Sequence, residues 1–206
     1  MTFARDALLI AVLLSPACPV TCPASAQPER VEARQVCAVQ DAIRWREAAW
    51  SPGYCEEVAS ALTNTTNPTR AFARMINESD MRPKAIRVTV RKDGLIAYDV
   101  GAMAVRCLAY PWAPGVCINE PVRGLTVKRL QDIRVNVEKS EQVLAMHGDS
   151  ERAYNGATTP GKGRRYVGKL DALVAAMGGV EVKVKGARLR RLVRQVVEAM
   201  GKEPRS

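Results

Sequence analysis

One carboxylate in this chain has a setting suited to acid–base chemistry. It is Glu78, in the run Asn67-Pro68-Thr69-Arg70-Ala71-Phe72-Ala73-Arg74-Met75-Ile76-Asn77-Glu78-Ser79-Asp80. Asn67 can accept from the free N–H groups of a helix start, and Pro68 suits the first helical position, where its missing N–H costs nothing. Phe72, Met75 and Ile76 fall on one face at helical spacing, which predicts a short helix packed inward. Glu78 stands at the edge of that face near the helix C-terminus, where the macrodipole disfavours negative charge. Partial burial acts in the same direction. Both raise a carboxyl's pKa, as a general acid working near neutral pH requires. The plainer alternative is a solvated glutamate at a helix end.

Two later stretches bear on that choice. Residues 98–104 read Tyr-Asp-Val-Gly-Ala-Met-Ala, and residues 152–156 read Arg-Ala-Tyr-Asn-Gly. A Glu-Ser pair at a helix end, then an Asp-x-Gly-x-Met turn, then Ala-Tyr-Asn resembles the lytic transglycosylases of the goose-lysozyme-like group. The order and spacing are most similar to the members associated with macromolecular secretion systems. The resemblance covers roughly residues 58–177. It implies a mainly helical α+β, lysozyme-like fold with a small antiparallel hairpin at a sugar cleft. It also implies cleavage of peptidoglycan glycan strands to a 1,6-anhydromuramoyl product, with Glu78 as general acid and then base. In that family Ser79 and Tyr154 would assist by hydrogen bonding, Gly101 and Met103 would belong to the turn lining the cleft, and Asn155 would hold backbone or substrate. No metal or organic cofactor is implied. The family's turn runs Gly-Leu-Met-Gln, whereas here it is Gly101-Ala102-Met103-Ala104, so an amide expected to face substrate is missing. Asn136 matches an asparagine that the family often carries, and reads here as a structural hydrogen bonder.

Most glycosidases need two carboxylates. Asp80, Asp93, Asp99 and Asp149 all read as surface or turn residues, which leaves Glu78 alone. One acid suffices when the 6-hydroxyl of N-acetylmuramic acid is itself the nucleophile. A muramidase of the same fold, hydrolysing with water, is the near alternative. A non-catalytic wall-binding or secretion-assembly protein is the distant one.

The elements that must position these residues follow from patterning. Ile86-Arg87-Val88-Thr89-Val90 alternates as a half-buried strand does, Asp93-Gly94 is a strong hairpin turn signal, and 95–98 would return, making a hairpin just after Glu78. Helices are expected within 27–50, from Cys55 to Leu62, from Thr126 to His147 (inner positions Leu130, Ile133, Val137, Val143, Leu144 and Met146), and from Arg164 to Met177. His147, at a helix end, reads as a complement to the dipole rather than as a catalyst. Residues 157–163 read as a Gly/Pro/Thr loop, and Ala187–Met200 as a basic amphipathic helix.

The 206 residues, 47% hydrophobic and 25% charged, describe one ordinary globular domain with appendages rather than a disordered chain. Arg5, the apolar run 7–14 and Ala24-Ser25-Ala26 form a secretory signal, so the organisation expected is signal 1–26, an N-terminal helical segment 27–57, the lysozyme-like domain 58–177 and a basic tail 178–206. The mature protein is then exported and periplasmic with no membrane-spanning segment. Residues 14–18 faintly resemble a lipoprotein box ending at Cys18, with Pro16 a poor fit. Cleavage after Ala26 would remove Cys18 and Cys22 and leave Cys37, Cys55, Cys107 and Cys117. Three pairings exist, and proximity favours Cys37–Cys55 and Cys107–Cys117. Zinc is disfavoured, since no Cys-x-x-Cys occurs and His147 is the only histidine. The net charge is +10, and beyond residue 159 Lys and Arg outnumber Asp and Glu twelve to four. That surface is either simply solvated or attractive to a polyanion, and an exported location makes nucleic acid the weakest candidate.

Overall fold

The computed structural model describes residues 31–43, 51–154 and 159–201. The signal segment, Cys18, Cys22, Trp50 and Asn155 lie outside them. The described residues form helices α1 (Ala33–Ile43), α2 (Tyr54–Leu62) and α3 (Pro68–Ser79), then strands β1 (Ile86–Val90), β2 (Ile96–Val100) and β3 (Val105–Ala109). Five more helices follow: α4 (Val127–Leu130), α5 (Ile133–Met146), α6 (Glu151–Tyr154), α7 (Pro160–Met177) and α8 (Ala187–Met200). The class is mainly helical α+β.

Helix α3 runs through the middle of the core. The Asn67 Oδ1 accepts from the Arg70 N–H at 2.9 Å, which is the expected cap. Ala71, Phe72, Met75 and Ile76 are buried. So is Arg74, which the apolar pattern alone would not place inside. The helix is stopped by Asp80 and Met81, both in the left-handed region (φ 52° and 64°). That conformation costs a non-glycine residue about 1–2 kcal/mol. The cost is met locally: the Asp80 N–H donates to the Ile76 carbonyl at 3.0 Å, Met81 is fully buried, and the Tyr54 hydroxyl donates to the Met81 carbonyl at 2.9 Å. The sharp stop leaves Glu78 on the last helical turn, beside the sheet.

The sheet is antiparallel in the order β1-β2-β3, with Val88 opposite Tyr98 and Tyr98 opposite Cys107. The expected hairpin is its first two strands. The third strand corrects the expectation of a two-stranded element. After β2 the chain reverses through Gly101 (φ 75°) and Ala104 (φ 50°), with the Ala104 N–H donating to the Gly101 carbonyl at 3.1 Å. The turn that seemed to end the sheet therefore joins two of its strands.

Two helix boundaries and one burial also differ from expectation. The helix expected over 126–147 breaks at Gln131–Asp132, because the Asp132 carboxylate accepts from the N–H groups of Arg134 and Val135 at 3.0 and 3.2 Å and starts α5 afresh. At its far end Met146, expected inside, is 58% exposed. Helix α7 begins at Pro160 behind Thr159, so residues 160–163 are helical rather than loop.

Helix α8 buries Leu192, Val193, Val196 and Ala199 in the same core as α1, α2 and α3. The Gln195 side-chain amide donates to the Ala42 carbonyl at 2.7 Å. The basic helix of the tail is thus part of the body. Disulfides join Cys37 to Cys55, linking α1 to α2, and Cys107 to Cys117, linking β3 to the loop after it. Among the described residues no helix is long and apolar enough to cross a membrane, and two disulfides suit an oxidising compartment.

Candidate active site

A cleft of about 650 Å³ separates the helical body from the sheet. Glu78 and Ser79 close one end of it. The sheet contributes Arg87, Asp99 and Arg106, and the α5–α6 side contributes Val143, His147 and Tyr154. Glu78 is half-buried, whereas its neighbours on either side are buried. Burial pushes its carboxyl above the ordinary range, and the Asp99 carboxylate adds to the rise. Tyr166, Arg188 and Arg74 act in the opposite direction. The Tyr166 hydroxyl interacts with Glu78 but falls short of a well-formed hydrogen bond, and it has no other partner among the described residues.

The turn opposite Glu78 is built with little freedom. The Asn136 side chain is wholly buried and makes three hydrogen bonds. It accepts from the Met103 N–H at 2.7 Å and donates to the Val100 and Leu130 carbonyls at 2.9 and 2.8 Å. The amide packs so tightly under Gly101 that an added Cβ there would lie 2.5 Å from its nitrogen. Glycine is required twice over, by the positive φ and by this contact. The Ser79 hydroxyl donates to the Ala102 carbonyl at 2.8 Å, tying the end of α3 to the same turn. Ser79 is buried, so this is its main engagement.

Met103 is fully buried and fills core, while its backbone serves the turn. Its carbonyl accepts from the Tyr154 hydroxyl at 2.9 Å, and that hydroxyl also meets the Ser140 Oγ at 3.0 Å. Burial first, offset in part by Arg74, pushes Tyr154 up to about 12. Tyr154 is therefore a protonated hydrogen-bonding strut on the cleft wall. Gly101 and Ala104 line the cleft, and at Ala104 no side-chain amide is present. The structure thus brings Glu78, Ser79, Gly101 and Tyr154 to one cleft and turns the Met103 side chain away from it.

Four contributors were not expected at the cleft or behind it: two arginines of α3, an aspartate and a histidine. Arg70, Arg74 and Glu78 are four residues apart on α3, so they share one face. Arg74 donates to Ser140 and to Glu141 at 3.1 and 2.9 Å and lies 4.9 Å above the Tyr154 ring. Arg70 reaches Glu151 on α6 at 2.7 Å and Asp171 on α7 at 2.5 Å. The four-residue spacing was the available signal. The aspartate is Asp99, which read as a turn residue but sits on β2 facing the cleft. Both its oxygens accept from Arg106, at 2.8 and 3.2 Å. The last is His147, which caps α5 as its place at the helix end suggested and in addition lines the cleft wall. Among the described residues the one grouping of potential metal ligands is Cys37, Cys55 and Glu56, and both of its thiols are spent in a disulfide.

No protein-family model matches the chain, and no curated protein or solved structure matches it.

Proposed function

We propose that the protein is a peptidoglycan lytic transglycosylase acting through Glu78. The observation that carries this reading is a carboxyl raised above its ordinary range chiefly by burial, on the last turn of a core helix and at one end of the cleft between the helical body and the sheet. In the proposed reaction Glu78 gives its proton to the glycosidic oxygen between muramic acid C1 and the 4-position of the next glucosamine. The C1–O bond breaks and the leaving 4-hydroxyl keeps that proton. The 6-hydroxyl of the same muramic acid then attacks C1 and passes its own proton to the Glu78 carboxylate, so the enzyme is regenerated and no water is consumed. One group acting first as acid and then as base needs a pKa near the working pH. A rim of Arg82, Arg87 and Arg106 suits an anionic polymer. A periplasmic location and service to a secretion apparatus belong to the same proposal, supported by the disulfides and by the residues of the resemblance.

Asp99 favours a second reading, a water-using muramidase, because it supplies a second carboxylate in the cleft. Against it, both Asp99 oxygens already accept from Arg106. Digestion of purified peptidoglycan with the wild type and with Glu78→Gln, followed by mass spectrometry, decides. Fragments one water lighter, absent with the variant, are expected. Hydrated reducing ends would replace the first reading with the second, and no release of fragments would remove both.

A further inference from the structure

Glu78 also lines a second hollow of about 410 Å³, together with Asn77, Tyr166 and four cations, Lys162, Arg165, Lys169 and Arg188. Residues 162, 165, 166 and 169 are spaced three and four apart on α7, so a single stripe of that helix faces the hollow. Lys162, Arg165 and Lys169 are exposed and form no ion pair among the described residues. Arg188 is held in place from α8, donating to the Asn77 carbonyl at 2.8 Å and to Asp80 at 2.6 Å. At the base is the Tyr166 hydroxyl. The residue is 3% exposed, and the hydroxyl lacks a completed hydrogen bond. Like charges at such spacing repel one another, and a buried hydroxyl without a partner costs stability. An anion in the hollow would relieve both.

We infer that this hollow is a subsite for carboxylates of the peptide stems that peptidoglycan strands carry. The inference rests on the reading of the cleft as a glycan site and adds a substrate preference to it. The stem is attached through the lactyl ether at C3 of muramic acid, on the sugar whose C1–O bond Glu78 would protonate, so a stem leaves the strand close to Glu78. The cleft would take the glycan, and the hollow that shares Glu78 with it offers cations. Three exposed ammonium and guanidinium groups on one helix stripe suit a flexible peptide bearing several carboxylates better than one rigid ligand. Strands bearing stems are then preferred over stripped strands.

The test is a calorimetric titration of the mature protein with a soluble disaccharide–tetrapeptide and with the same disaccharide lacking its peptide. It is repeated on a Lys162→Gln/Arg165→Gln/Lys169→Gln variant whose fold is checked by circular dichroism. The peptide-bearing ligand should bind the wild type and lose about tenfold or more in affinity with the variant, because charge-assisted contacts are the strong ones. Raised salt should weaken the wild-type complex, and the bare disaccharide should not distinguish the two proteins. Equal binding of the peptide-bearing ligand by both proteins, or none by the wild type, overturns the subsite. Inorganic phosphate displacing the peptide at equal concentration also overturns it, in favour of a general anion site. This readout is independent of strand cleavage. A protein that binds stems without cutting strands keeps the subsite and loses the transglycosylase, and the converse result does the opposite.

Discussion

Glu78 is set by its neighbours more than by its own position on the helix. Burial raises its carboxyl and Asp99 raises it further, while Tyr166, Arg188 and Arg74 pull it down. A carboxyl whose folded pKa lies above its unfolded value adds stability below the unfolded pKa and loses it as pH rises through the folded one. At neutral pH Glu78 is therefore a cost. The Glu78→Gln protein should melt at higher temperature than the wild type at pH 7, and the gain should vanish below about pH 4, near the ordinary glutamate pKa. Thermal melts across pH check this. Strand cleavage by the same variant should fall about 10³-fold, within the range for loss of a general acid. Asp99→Asn removes a charge that raises Glu78, so the alkaline limb of the pH–rate profile should move to lower pH with the reaction retained. Loss of the reaction in Asp99→Asn, rather than a shifted limb, would point to the water-using muramidase.

Among the elements, the β2–β3 turn carries the closest tolerances. Gly101→Ala adds a left-handed strain of about 1–2 kcal/mol and an overpacking cost of about 1–3 kcal/mol against Asn136. Gly94 is a control within the same sheet, since it has a similar φ (80°) and nothing within 4 Å of an added Cβ. Gly94→Ala should lose only the backbone share, about 1–2 kcal/mol. Denaturant melts of the two variants separate the terms. Equal losses would mean that the Asn136 amide gives way easily. Helix α3 is held at both ends: Asn67 caps its start, and Arg188 accompanies Asp80 at its finish. Between them Arg70 and Arg74 fasten it to α5, α6 and α7. A carboxyl on the last turn of a helix so restrained moves little, which is what the acid–base role proposed for Glu78 requires.

At the scale of the molecule, α1, α2 and α8 close the core behind α3, and the Cys37–Cys55 bridge joins the first two of these. The cysteines are 18 residues apart, so removing the bridge with Cys37→Ala/Cys55→Ala should lower stability by about 3 kcal/mol in the chain-entropy account. Chemical denaturation under non-reducing conditions checks it. The wild type under reductant should approach the variant. Because α8 belongs to the core, its basic residues are not a loose appendage, and Arg188 brings positive charge from the end of the chain to within reach of Glu78.

Local signals were enough for α3, its cap, the Asp93-Gly94 hairpin and the pairing of nearby cysteines, because each depends on residues a few positions apart. The Glu-Ser pair and the glycine of the turn were legible for the same reason. What lay beyond the sequence were contacts that only folding creates. Val105–Ala109 became a strand because the Gly101–Ala104 turn aims it back along β2, a pairing no local period encodes. Asp132 broke a long helical pattern by capping its own successor. Asp99 joined the cleft because the register of β2 turns it toward Glu78, and the α7 stripe acquired meaning once tertiary packing set it beside that same carboxyl. Sequence patterning determined most of the helices, the first hairpin and where Glu78 lies along the chain. Tertiary structure alone decided which charges surround it, since electrostatic effects act through space over a few ångströms whatever the separation in sequence.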